Sequence, residues 1–172
     1  MKNILKIAAL AIPLAACTPS GKQTATVKTD SAEISSATAD TITKNALTAK
    51  IEIAPVIALG DSVMMKFTIN NPSETDKKFC KWHTPFEPPL SKYLDIVDEK
   101  GDEVQYLGAM AKRISPAPES SYIDIKAGEN LSAIINLGHI YKLDKAGRYT
   151  VKYNSEAVSG LSPLATTVFE IK

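Results

Sequence analysis

Cys80, His83 and His139 carry the side chains best suited to metal ligation or nucleophilic chemistry in this chain. Cys80-Lys81-Trp82-His83 sets a thiol and an imidazole at metal-ligand spacing. Zinc asks for three or four ligands, however, and His139 is the one nitrogen donor left. A thiol nucleophile needs its base within hydrogen-bond reach. On an extended chain residues i and i+3 point to opposite faces, which parts Cys80 from His83. The simpler reading makes Cys80 a small buried apolar side chain beside Trp82, and His83 a turn residue. A metal site built from Cys80, His83 and His139 is the weaker alternative. No HExxH exists, because Thr84 follows His83 and Ile140 follows His139. Ser159-Gly160-Leu161-Ser162 lacks the G-x-S-x-G of a nucleophile elbow. No P-loop or dinucleotide fingerprint occurs. Acidic residues fall at turns and on outward strand positions, so no catalytic carboxylate pair separates from the rest. These features point to a non-enzymatic chain without a cofactor.

Two segments combine residue types suited to binding rather than catalysis. Lys81-Trp82-His83-Thr84-Pro85-Phe86-Glu87-Pro88-Pro89-Leu90 holds a tryptophan, a phenylalanine and three prolines in ten residues. Tyr106-Leu107-Gly108-Ala109-Met110-Ala111-Lys112-Arg113-Ile114-Ser115-Pro116-Ala117-Pro118 adds a tyrosine, a basic pair and two prolines. Proline lowers the entropy lost when a loop is ordered, and aromatics with arginine are the usual interface anchors. The candidate partner-binding residues are therefore Trp82, Thr84, Pro85, Phe86, Tyr106, Lys112, Arg113 and Pro116. Against this stands a plainer reading, in which both segments are long connections packed on a core.

The elements that must position these residues follow from the rest of the chain. Its 172 residues suit one domain and a tail, and 20 Lys/Arg against 19 Asp/Glu leave a net charge of +1. Such balance lacks the electrostatic footprint of a nucleic-acid binder. Lys2 and Lys6 give a short positive start to an apolar stretch of Ile4, Leu5 and Ile7 to Ile12, too short to span a bilayer, which needs ~20 residues. Residues 1–16 read as a secretory signal. The run ends in Leu14-Ala15-Ala16-Cys17, which resembles the lipobox of bacterial lipoproteins. The resemblance implies cleavage before Cys17, acylation of Cys17 and attachment of the chain to a membrane. Acyl chains contribute ~0.8 kcal/mol per buried CH₂, so two or three anchor firmly. Thr18, rather than Asp, follows the cysteine, which favours the outer membrane of a Gram-negative cell envelope. Loss of Lys2 and Lys6 with the signal leaves 18 basic and 19 acidic residues, a net of −1. Residues 17–46 are rich in Thr, Ser, Ala, Lys and Asp and cannot bury enough surface to offset ordering entropy. They read as a flexible tether.

From residue 47 the hydrophobic period becomes two. Leu47, Ala49, Ile51 and Ile53 alternate with polar neighbours, as do Val63, Met65, Phe67 and Ile69, then Leu131, Ala133, Ile135 and Leu137. Tyr149, Val151 and Tyr153 continue the pattern, then Thr167, Phe169 and Ile171, with shorter runs at Leu94–Ile96, Val104–Tyr106 and Ile123–Ile125. Alternation over four to eight residues marks strands buried on one face. Gly60-Asp61, Asn70-Asn71-Pro72, Gly101-Asp102, Gly128-Glu129 and Gly147 punctuate them. Residues 97–104 read as a hairpin, and 139–145 as at most one helical turn. The expectation is an all-β domain over 47–172: an immunoglobulin-like antiparallel β-sandwich of about seven to nine strands. Leu143 to Val151 would form a tyrosine corner, and Trp82 would sit where a core tryptophan lies.

In order, Lys81-Trp82-His83-Thr84-Pro85-Phe86-Glu87, Asp102 through Arg113, Pro116, Ala127-Gly128-Glu129, Tyr141 and Gly147 through Tyr153 make a series. It resembles the amino-terminal pro-domain of deuterolysin-type (aspzincin) zinc endopeptidases over about residues 47–154. There the pattern runs K-W-x-T-P, Y-x-G-x-x-x-K-R-x-x-P, P-G-E and G-x-Y-x-V-x-Y. The catalytic domain, with its HExxH and aspartate ligand, has no counterpart here. The resemblance implies a free-standing, lipid-anchored pro-domain that inhibits or chaperones a secreted or periplasmic metalloprotease in trans. Lys112 or Arg113 would meet zinc-site carboxylates, and Trp82 and Phe86 would fill an apolar subsite. The competing readings are a structural or adhesion envelope lipoprotein and a small-ligand or metal-binding periplasmic module.

Overall fold

The computed structural model describes residues 45–172. The signal read at 1–16, Cys17 and all but the last two residues of the tether lie outside the described residues.

Ten strands follow one another: β1 Thr48–Ile53, β2 Val56–Ile57, β3 Met64–Asn70, β4 Lys77–Cys80, β5 Leu94–Val97, β6 Tyr122–Ile125, β7 Asn130–Asn136, β8 Gly147–Tyr153, β9 Ser162–Pro163 and β10 Thr167–Ile171. They build two four-stranded sheets, ordered β7-β3-β1-β9 and β2-β10-β8-β5, and a two-stranded ladder β4-β6. The alternation dictates which face closes. In β3, Met65, Phe67 and Ile69 are wholly buried while Met64 and Lys66 face outward. Antiparallel register sets Phe67 between Ile51 of β1 and Ala133 of β7. The second sheet contributes Leu94, Ile96, Val151, Tyr153, Phe169 and Ile171. The sheets meet where the Phe67 and Tyr153 rings pack with centroids 5.4 Å apart. Full burial of a side chain such as Phe67 is favourable by roughly 1.5–3 kcal/mol. The protein is thus an all-β sandwich.

Eight strands have four or more residues; the other two, β2 and β9, are two-residue edge strands that pair in parallel. At Ala54-Pro55 the chain leaves β1 and crosses to the other sheet, where Ile57 lies beside Ile171. Proline cannot continue a ladder, so it fits this crossing. The expected tyrosine corner forms: Tyr149 Oη donates to the Lys145 carbonyl at 2.8 Å, and its ring stacks on Phe169 at 5.4 Å.

Three expectations are corrected. Trp82 is no core tryptophan; it is half-buried on a loop, and Phe67, Phe79, Phe169, Tyr141 and Tyr153 fill the interior. Val104–Tyr106 forms no strand: Glu103 just before it bridges Val97, and Tyr106 alone bridges Tyr141, because the chain there serves a turn and then the loop beyond it. A 3-10 turn occurs at Leu137–His139 rather than later, where Asn136 Oδ1 caps it by accepting the Gly138 N–H at 3.0 Å. Strand β4 carries no alternation to betray it. Its Lys-Lys-Phe-Cys sequence pairs with β6, setting buried Phe79 opposite Ile123. Beside it the fully buried Asn71 side chain holds the end of β3 to the β6–β7 turn. It donates to the Thr75 and Lys126 carbonyls at 2.9 and 3.0 Å, and accepts from Ser73 Oγ at 2.7 Å.

Candidate functional site

Beyond β4 the backbone turns sharply at residues 81–87. Thr84 is fully buried; its Oγ1 donates to the Lys81 carbonyl at 2.6 Å and accepts the Phe86 N–H at 3.2 Å. His83 occupies the left-handed region with φ of 59°, which histidine tolerates better than most residues. Its backbone N–H thereby reaches Glu87 Oε1 at 2.9 Å. Phe86 packs edge-on against Phe79, centroids 5.5 Å apart. The turn thus curls a carboxylate beneath its own backbone and pins one side of itself to the core.

The second segment closes over the first. Ala109 N–H donates to the Pro89 carbonyl at 3.1 Å and Ala111 N–H to the Leu90 carbonyl at 2.8 Å. The Tyr106 ring packs on Tyr141 with centroids 5.3 Å apart, and its Oη faces the Pro89 and Ala109 carbonyls at 3.1 and 3.3 Å. It also lies over Gly108, leaving no room there for a Cβ. Arg113 completes the closure. Its Nη2 lies 2.6 Å from Glu87 Oε1, and its guanidinium sits 4.9 Å from the centroid of the Trp82 ring. The Glu87 side chain is only 4% exposed and that of Arg113 21%, so the pair is largely withdrawn from water. A charge so placed is tolerated because it is paired and hydrogen-bonded; removing one member strands the other. Guanidinium over indole adds a cation–π attraction.

Five of the sequence-derived candidates therefore meet in one clasp: Trp82, Thr84, Phe86, Tyr106 and Arg113. The clasp gives each an internal partner. Thr84 holds a turn, and Arg113 spends its charge on Glu87 rather than on an outside carboxylate. Pro85 is half-buried, while Lys112 and Pro116 stay exposed. Sequence reasoning placed Glu87 and Gly108 inside its two segments without naming either as a binding residue. The lone acid amid prolines at 87, and the Tyr-x-Gly at 106–108, were the available signals. What the clasp presents outward is a short apolar surface. Leu107, Met110 and Ile114 are 51%, 71% and 67% exposed, with Lys112 among them.

The weak metal candidates do not converge. Cys80 is a buried free thiol. The His83 ring lies against Ser155, with Nδ1 to Oγ 3.3 Å, and His139 Nε2 is 3.3 Å from Asn136 Nδ2. Among the described residues no three of His, Cys, Asp and Glu group together. Burial, then the positive charge of Arg113, holds the His83 imidazole below its ordinary range, opposed by Glu87. The Ser155 hydroxyl donates to Asn154 Oδ1 at 2.7 Å, which turns its proton away from His83. Ser159 is buried and accepts the Tyr153 hydroxyl at 2.7 Å.

No family model matches the chain. Over 93 residues it is 30% identical to an extracellular protease of Aeromonas hydrophila, a stretch covering 54% of this chain and 26% of that protein. The chain thus matches about a quarter of the relative's length. Among solved structures it superposes on a Pseudomonas fluorescens alkylpurine DNA glycosylase bound to DNA with an abasic-site analogue, with TM-score 0.38, 15% identity, and 77% and 32% of the two chains covered. It also superposes on a mutant β-glucosidase from Listeria innocua in complex with laminaribiose, with TM-score 0.35, 11% identity, and 73% and 16% covered. Over those 93 residues the chain is similar to part of an extracellular protease.

Proposed function

We propose that this domain is a non-catalytic, protease-associated binding module, held at the cell envelope by lipid on Cys17, that docks a deuterolysin-type metalloendopeptidase in trans. The observation carrying the reading is the similarity over 93 residues to an extracellular protease. The geometry refines which residues would make the contact. Arg113 is engaged by Glu87 and Trp82, so it orders the loop. The exposed Leu107, Met110, Lys112 and Ile114 are the side chains left to meet a partner. A loop already fixed by its clasp loses little further entropy on docking, and apolar side chains around one cation suit a cleft with an apolar wall and an acidic site. Docking would cover or stabilise the enzyme's cleft, as a pro-domain does.

The test is inhibition and complex formation. The protein is titrated against the Aeromonas hydrophila extracellular protease and, separately, against deuterolysin-type enzymes, with peptide hydrolysis and co-elution as readouts. Suppression at stoichiometric ratios supports the proposal. Unchanged hydrolysis together with no complex for every enzyme overturns it.

A further inference from the structure

Glu87 uses one carboxylate oxygen for the clasp. Oε1 accepts from the His83 N–H at 2.9 Å, Arg113 Nη2 at 2.6 Å and Ser91 Oγ at 3.4 Å. No hydrogen bond reaches Oε2 from the described residues, and none reaches the hydroxyl of Tyr93, a residue 2% exposed. Among the described residues Arg113 Nε is the fully enclosed side-chain polar atom left without a partner. Glu87 and Tyr93 line one cavity of about 240 Å³, walled by Pro89, Ile135 and Ile140, with Asn136 and His139 at its side. A mostly apolar pocket with a few aimed polar groups is the usual form of a small-ligand site.

The charges select the ligand. Arg113 already neutralises Glu87, so an ammonium entering the cavity would leave an unbalanced positive charge beside the pair. A carboxylate would face the Glu87 carboxylate, with Arg113 already engaged and only the His139 imidazole at the side to receive it. A neutral group with an N–H for Glu87 Oε2 and an oxygen for the Tyr93 hydroxyl meets both demands, and a branched apolar stem suits Ile135 and Ile140. We infer that the cavity between Glu87 and Tyr93 is a binding site for a primary carboxamide carried on a small apolar stem. Such a group is supplied by a free small amide or by an asparagine or glutamine side chain of a polypeptide. The site does not depend on the protease reading, since none of the residues lining it belongs to the exposed loop at 107–114.

Saturation-transfer NMR of the full-length protein in detergent, at pH 7.5, tests this with isobutyramide as the probe. Isobutyrate and isobutylammonium serve as isosteres, and a capped Ala-Gln-Ala peptide with its Ala-Ala-Ala control as the polypeptide source. Saturable binding of isobutyramide, in the millimolar range fitting so small a ligand, is expected. Both charged isosteres should bind more weakly. Tyr93→Phe keeps the ring and should weaken the amide about five-fold, the scale of one hydrogen bond. Tighter binding of the glutamine peptide than of isobutyramide assigns the site to a polypeptide; weaker binding assigns it to a small molecule. The absence of saturable amide binding, or equal binding of all three isosteres, overturns the inference. So does a Tyr93→Phe protein with an unchanged melting temperature and unchanged amide affinity.

Discussion

A methyl group on residue 108 would fall 2.2 Å from the Tyr106 hydroxyl, so the tyrosine ring occupies the space that only glycine leaves open. That contact fixes the start of the exposed loop, because the same hydroxyl is aimed at the Pro89 and Ala109 carbonyls. Gly108→Ala should expel the ring and cost about 1–3 kcal/mol, the range for overpacking. Tyr106→Ala alone loses the packing on Tyr141. The double variant Tyr106→Ala/Gly108→Ala should then be little worse than Tyr106→Ala, since the clash is gone. Urea unfolding of the four proteins checks this; additive losses would show that the two residues act separately.

Arg113 should behave as a structural arginine. Arg113→Ala leaves the Glu87 carboxylate, 4% exposed, without its cation. Loss of a buried partner costs about 3–5 kcal/mol, and the lower end is expected because the Arg113 side chain keeps 21% exposure. Arg113→Lys should recover part of this, having charge but no plane to lay on Trp82. Glu87→Gln/Arg113→Met should exceed Arg113→Ala in stability, because no charge is then stranded. The urea midpoint of each variant decides the order.

The strands were legible because burial on one face leaves alternation behind, as at Met65, Phe67 and Ile69. Where burial came from both sides or from a single pairing, no such trace existed. Lys77–Cys80 is a strand because β6 lies beside it, and Val56–Ile57 because β10 does; neither carries a period of its own. The two loops stood out by composition, yet their internal pairing did not. Glu87 and Arg113 are 26 residues apart, and nothing local says that they meet. Trp82 was misplaced for the same reason. Its partner is a guanidinium from a distant loop, so its size suggested the core while its contact keeps it near the surface.

His83 predicts a pH dependence. Its imidazole is held below the ordinary value by burial and then by Arg113. As pH falls, the unfolded chain takes up this proton first, near 6.5. The stability contributed is therefore whole above that value and is lost as pH falls through the lower, folded value. Asparagine also tolerates the left-handed backbone at this position, so His83→Asn removes the titration without new strain. The fall in melting temperature between pH 7 and 5 should be smaller in His83→Asn than in the parent. An identical fall would mean that other groups carry it. The exposed Asp76 and Glu52, whose carboxyls are lowered chiefly by Lys126 and Lys50, act at more acid pH.

Thiol chemistry separates the two cysteines. Cys80 is 2% exposed, so a thiol reagent such as Ellman's should not reach it in the native protein. If Cys17 carries acyl groups through a thioether, it offers no thiol at all. The mature protein should then release no chromophore when native, and one equivalent per chain in guanidinium. A second equivalent on unfolding would rule out lipid on Cys17. A fast equivalent in the native state that persists in Cys17→Ser would mean that Cys80 is accessible.

The outward side chains of the loop separate docking from folding. Met110 and Ile114 are 71% and 67% exposed, so Met110→Asp/Ile114→Asp removes almost no packing and should shift stability by less than about 0.5 kcal/mol. Facing an acidic zinc-protease site, the same change replaces apolar contacts with two like charges. Affinity for the protease should fall at least ten-fold, equivalent to about 1.4 kcal/mol. Lys112→Ala should act in the same direction with no effect on the melting temperature, because its side chain is exposed. Arg113→Ala should lower affinity only in step with lost stability, since it acts through the clasp. Calorimetric binding alongside melting curves distinguishes these patterns. Unchanged affinity in both the double aspartate variant and Lys112→Ala would remove the loop as the docking surface, and loss only in Arg113→Ala would place the contact on the clasp itself.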